Sequence, residues 1–90
     1  MLRTFGGDFQ VGTSVKAAIG TNTQAYNILF PLAFLRPDPP IVVANVVNAT
    51  NQWTTDIGIV SNTFFSMWAN LIGGGAATEN LSIKWVAWYP

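Results

Sequence analysis

The residues best suited to chemistry in this chain cluster around one tryptophan. Asn51-Gln52-Trp53 precedes Thr54-Thr55-Asp56. An indole flanked by amides and a carboxylate can stack on the apolar face of a sugar while its neighbours take the hydroxyls. The same residues could equally anchor a loop, and the sequence leaves both roles open. Catalysis has much less to draw on. The chain has no His and no Cys, so a nucleophile–base arrangement would need Ser with Lys or a carboxylate pair. The acidic residues are Asp8, Asp38, Asp56 and Glu79, and no spacing pairs them. Gly73-Gly74-Gly75 lacks the following Lys-Ser/Thr and the helix of a phosphate-binding loop, so it reads as a loop tip. These features predict a non-catalytic protein without metal or cofactor.

The composition bears on how such residues are held. The chain has 90 residues, 50% hydrophobic, 13% aromatic and 9% charged, where an ordinary domain carries about 25% charge. A single domain of this size buries only roughly 60–65% of its unfolded surface. The apolar surplus therefore points to copies of the chain, a partner or a membrane. The apolar runs Ile28–Leu35 and Ile41–Val47 are far below the roughly 20 residues that span a bilayer. Gly6, Gly7 and Asp8 stand where a secretion signal would be hydrophobic. Four basic and four acidic residues are scattered singly, for a net charge of zero, which does not make a nucleic-acid surface.

Strand signals dominate. The clearest is the closing stretch, Asn80–Tyr89. Leu81, Ile83, Trp85 and Ala87 alternate with Ser82, Lys84, Val86 and Trp88, which predicts a strand with one buried face and a second that needs cover. Earlier strands are expected at Thr4–Val11, with a bulge at Gly6-Gly7, and at Ser14–Ala18, Gln24–Phe30, Ile41–Val47, Thr54–Ser61 and Phe64–Asn70. Ile41–Val47 is apolar on both faces and is expected at the centre of a sheet. Arg36-Pro37-Asp38-Pro39-Pro40 is a rigid corner, because its prolines exclude helix; Arg36 and Asp38 are expected to form a local ion pair. Short loops between strands predict a small antiparallel β-sandwich of about six strands, as a single domain over residues 1–90. Trp85 is expected in the core, Trp88 and Tyr89 at a subunit interface, and Trp68 against a neighbour. Asp56 could accept from a ligand or simply face solvent.

Three blocks occur in an order that resembles H-type lectin domains, which are also found at the C-terminal tips of phage tail fibres. The first runs from Ile28-Leu29-Phe30 through Phe34 to Pro39-Pro40-Ile41-Val42-Val43. The second is Val60-Ser61-Asn62-Thr63-Phe64-Phe65, and the third Ile83-Lys84-Trp85-Val86-Ala87. The resemblance covers residues 14–89. It implies a homotrimer, with stacked hexamers in some members, and sugar sites in clefts between subunits. It also adds Gly20 and Asn22 to the candidate ligand residues Asn51, Gln52, Trp53 and Asp56, since Gly20-Thr21-Asn22 matches the family's Gly-x-Asp loop with Asn in place of Asp. The family's arginine before the fifth strand and its aromatic before the last strand have no counterpart here. The expected function is that of a virion-located tail-fibre-type tip, contacting host-surface glycans without nucleic acid or membrane insertion. The alternatives are a free-standing carbohydrate-binding lectin and a structural assembly or cap protein without a sugar site.

Overall fold

The closing alternation becomes the middle of a sheet. In the computed structural model, which describes residues 9–90, Ala77–Trp88 is a 12-residue strand. Two strands flank it, Phe9–Thr21 and Ile41–Val47, both antiparallel to it. A second sheet places Phe64–Leu71 between Thr23–Leu29 and Trp53–Val60, again antiparallel. Numbered along the chain these are β1 (Phe9–Thr21), β2 (Thr23–Leu29), β3 (Ile41–Val47), β4 (Trp53–Val60), β5 (Phe64–Leu71) and β6 (Ala77–Trp88). The sheets have the orders β1-β6-β3 and β2-β5-β4. The described residues form an all-β sandwich of six antiparallel strands in two three-stranded sheets.

Period-2 geometry sorts each strand into an inner and an outer row. From β6, Leu81, Ile83, Trp85 and Ala87 point inward and are buried; from β5, Phe65, Met67 and Ala69 do the same. Ile28, Phe30, Phe34, Val42, Ala44 and Tyr89 complete the core. At one end the rings of Phe30, Phe34, Phe65, Trp85 and Tyr89 form a chain of contacts. Phe30 meets Phe34 edge-on at 4.9 Å, and Phe34 meets Tyr89 in the same way at 5.5 Å, the geometry aromatic quadrupoles favour.

Three expectations are corrected. Strands expected at Thr4–Val11 and Ser14–Ala18 are one continuous β1 over the described residues; Gly6 and Gly7 lie outside them. Gly12 does not break the strand. It lies opposite Trp85 in the register, and a Cβ there would sit 2.5 Å from Trp85 Cζ2, so glycine makes room for the ring. Second, β3 is an edge strand. Its two apolar faces reflect a core row, Val42 and Ala44, and an uncovered outer row, Ile41 and Val43, 44% and 47% exposed. Third, Tyr89 belongs to this chain's own core. Its hydroxyl donates to the Asp38 carbonyl at 2.5 Å, and the Arg36 guanidinium stands 4.7 Å above its ring. Trp85 is buried, as its parity implied, and Trp88 lies half-buried on the outer face.

The segment that leads into the proline corner is held by side chains reaching into it. Gln10 is fully buried and grips Leu32 at both backbone groups: its Nε2 donates to the Leu32 carbonyl at 2.8 Å and its Oε1 accepts from the Leu32 N–H at 3.5 Å. Asn62 donates through Nδ2 to the carbonyls of Phe34 and Arg36. The Phe30 and Phe34 N–H groups bond the carbonyls of Thr63 and Asn62. The segment between β2 and β3 is thereby fixed against the β4–β5 turn.

Candidate functional site

Three connections meet at the end of the sandwich away from the proline corner: the β1–β2 turn, the β3–β4 loop and the β5–β6 loop. Gly20 has φ +62°, a left-handed conformation suited to glycine. It lies in the irregular part of β1, where pairing to β6 shifts between Ala18 and Thr21. The consecutive amides of Leu71 and Ile72 then tie the other two connections together. Leu71 N–H donates to the Asn22 carbonyl at 2.8 Å, and Ile72 N–H to the Gln52 carbonyl at 2.9 Å. Asn22 and Gln52 are thus fixed by their backbones on either side of the β5 terminus, with their side chains exposed. Gly73, Gly74 and Gly75, all at positive φ, form the open tip beyond them.

Glu79 organises the β3–β4 loop. Its Oε1 accepts from Thr50 N–H at 2.7 Å. Its Oε2 accepts from Asn51 Nδ2 at 2.7 Å, Trp53 Nε1 at 3.1 Å and Asn51 N–H at 3.3 Å. Four donors on one carboxylate favour its charged form. The Asn51 side chain, followed by the Thr50 amide, holds the Glu79 carboxyl below the ordinary glutamate value, against a smaller opposing effect of desolvation. Trp53 itself is half-buried and packs against the core. Its indole N–H and the Asn51 amide are spent on Glu79, so this pair is built as an anchor for the loop.

Of the residues singled out in the sequence, the fold brings Gly20, Asn22, Asn51, Gln52 and Trp53 to one end. It does not bring Asp56 in beside Trp53. Three residues further along β4 places Asp56 on the opposite face of its sheet, exposed, opposite Trp68 in the register. There its Oδ2 accepts from Asn70 Nδ2 at 3.0 Å. Glu79 was missed as a site residue, although a signal existed. It shares the parity of Leu81, Ile83, Trp85 and Ala87, so at the rim of the sandwich its carboxylate is on the side of the sheet that faces the β3–β4 loop.

The outer face of the β1-β6-β3 sheet is a second feature. Cross-strand register builds two successive apolar rows, Phe9–Trp88–Ile41 and Val11–Val86–Val43. Val11, Ile41 and Val43 are 44–48% exposed. The next row, Thr13–Lys84–Asn45, is polar. A shallow depression of about 250 Å³ lies between Val43, Asn45, Lys84 and Val86. The apolar rows sit at the end of the sandwich opposite the loops.

Among the described residues no group of three acidic, histidine or cysteine side chains is placed to hold a metal ion. Comparison with protein-family models, with curated proteins and with solved structures finds no match.

Proposed function

We propose that this chain is a non-catalytic, receptor-binding tip module of the phage tail-fibre type, related to H-type lectin domains. It assembles as a homotrimer and contacts host-surface glycans through the loops at one end. The observation that carries this reading is the polarity of the sandwich. Two apolar rows on the β1-β6-β3 sheet mark one end, while the other presents exposed Asn22 and Gln52 beside exposed Ile19 and Ile72. Apolar rows left uncovered across a whole sheet face, edge strands included, are a liability for a lone chain and an asset for an assembling one. The six-stranded sandwich also agrees with the architecture expected from the strand signals in the sequence.

The mechanism is avidity. Each loop end offers amides and backbone groups around the β5 terminus, a set suited to sugar hydroxyls but weak singly. Three such ends held rigidly on one trimer raise the effective affinity by roughly 10²–10⁴ without any new contact. A glycan array tests the reading, using the intact protein beside Asn22→Ala/Gln52→Ala and Trp53→Ala variants. Binding that falls in the Asn22→Ala/Gln52→Ala variant, with folding retained, supports it.

A second reading has its own support. Glu79 takes both the Trp53 indole N–H and the Asn51 amide, which suits a structural assembly or cap protein whose loop end is locked rather than open to ligand. Trimerisation with no binding to any glycan would favour that reading.

A further inference from the structure

The outer face of the β2-β5-β4 sheet differs in chemistry from the apolar rows on the other sheet. At its centre is Trp68, 42% exposed, between Ala25 on β2 and Asp56 on β4 in the register. Gly58 determines how the indole lies. A Cβ on Gly58 would sit 2.6 Å from Trp68 Cζ3 and 3.0 Å from Cη2, so the benzo end of the ring occupies the space a Gly58 side chain would take. Gly58 lies two residues beyond Asp56, where β4 bulges between Ile57 and Val60. The Ser66 hydroxyl fixes that bulge by accepting from the Ile59 N–H at 2.8 Å. The ring therefore reaches across the sheet onto β4 and leaves part of its surface to solvent.

Polar side chains flank it on the β4 side, while its β2 neighbour is Ala25 and Leu29 stands 74% exposed further along that strand. Asn70, the next outward residue on β5, donates to Asp56 at 3.0 Å, which sets a carboxylate and an amide side by side at the base of Trp68, on the side away from Gly58. Asn27, opposite Ser66 in the register, adds another exposed amide on β2. A dry protein interface would have to desolvate Asp56 and these amides, and interface cores are depleted in charged residues for that reason. A pyranose presents C–H groups on one face and hydroxyls around its edge, which suits an indole flanked by amides and a carboxylate. The negative charge of Asp56 disfavours acidic sugars and phosphate.

The geometry points to a neutral-carbohydrate site on this sheet face, with Trp68 as the stacking platform and Asp56 and Asn70 as hydroxyl partners. This site is separate from the loop end and stands without the reading given above.

The test is a ¹H–¹⁵N NMR titration of the intact protein with galactose, N-acetylglucosamine and cellotetraose. Single-platform stacking is weak, so the sugars are carried to about 10 mM or beyond, the range of millimolar dissociation constants. The Trp68 indole and Asn70 side-chain resonances are expected to shift with at least one of them. Trp68→Ala is expected to weaken binding by about tenfold or more, and Gly58→Ala to weaken it as well by displacing the ring; Trp53→Phe is expected to leave the Trp68 response intact. Silence of Trp68 with every sugar, in protein whose spectrum shows it folded, overturns the site. Trp68 shifts that follow protein concentration instead of sugar overturn it too, and assign the face to self-association. A response confined to Asn22 and Gln52 sustains the loop-end reading while removing this one; a response confined to Trp68 does the reverse.

Discussion

Gly12 and Trp85 face each other across the β1–β6 pair, and the ring occupies the space where a side chain at position 12 would begin, 2.5 Å from Cζ2 and 2.7 Å from Cε2. Trp85 is 5% exposed and touches the rings of Phe30 and Phe65, so it has little freedom to give way. Overpacking a filled core costs about 1–3 kcal/mol. Gly12→Ala is therefore expected to lower stability by that amount in chemical denaturation, and Gly12→Val by more. An unchanged denaturation midpoint for Gly12→Val would show that the two residues are not packed in this way.

Glu79 makes the β3–β4 loop acid-sensitive. Its folded pKa lies below the ordinary value of 4.5. The ionised group therefore contributes stability above the unfolded value, and that contribution is lost as pH falls through the folded one. Thermal melts should show a loss of stability as pH falls below about 4.5 that is smaller in Glu79→Gln. Identical acid profiles for the two proteins would remove Glu79 from this role.

At the other pH extreme stands Tyr26. Burial raises its pKa above 10.0, and its hydroxyl donates to the Ala17 carbonyl at 2.8 Å. A raised folded pKa means its contribution is complete below the unfolded value and lost as pH rises through the folded one. Alkaline melts of Tyr26→Phe should accordingly lose less stability above pH 10 than those of the parent. Equal alkaline losses would contradict the assignment.

Gln10 closes the segment between β2 and β3 by bonding both backbone groups of Leu32 from a fully buried position. Gln10→Ala removes both bonds and leaves a void, at a cost of about 1–3 kcal/mol. Hydrogen exchange should accelerate at Leu32 and spread to Phe34. Protection at Leu32 equal to that of the parent would separate this segment from Gln10.

Much of the fold was legible in the sequence because alternation is a local signal. The inward and outward rows of β6 followed from the parity of Leu81 to Trp88, and the short loops implied a sandwich. Two matters were not local. Gly12-Thr13 read as a break because the partner that makes Gly12 useful, Trp85, lies far along the chain. The apolarity of Ile41–Val47 read as a central strand because a sequence does not distinguish a row buried by its own chain from a row left open. The candidate site was legible to a similar extent. Asn51, Gln52 and Trp53 were grouped by sequence proximity, but the fate of the indole N–H depended on Glu79, which only strand pairing brings near. Asp56 was grouped with Trp53 on the same grounds, and the period of β4 sends it to the other face.

In the proposed homotrimer the rows Phe9–Trp88–Ile41 and Val11–Val86–Val43 are covered by copies of the same chain. Size-exclusion chromatography with multi-angle light scattering checks this on the parent and on a Val11→Lys/Val43→Lys variant. Both positions are about half exposed, so the variant is expected to fold. The expected result is a parent mass of three times the 9.8 kDa chain and a smaller species for the variant. A parent that elutes as a stable monomer at micromolar concentration would contradict the claim.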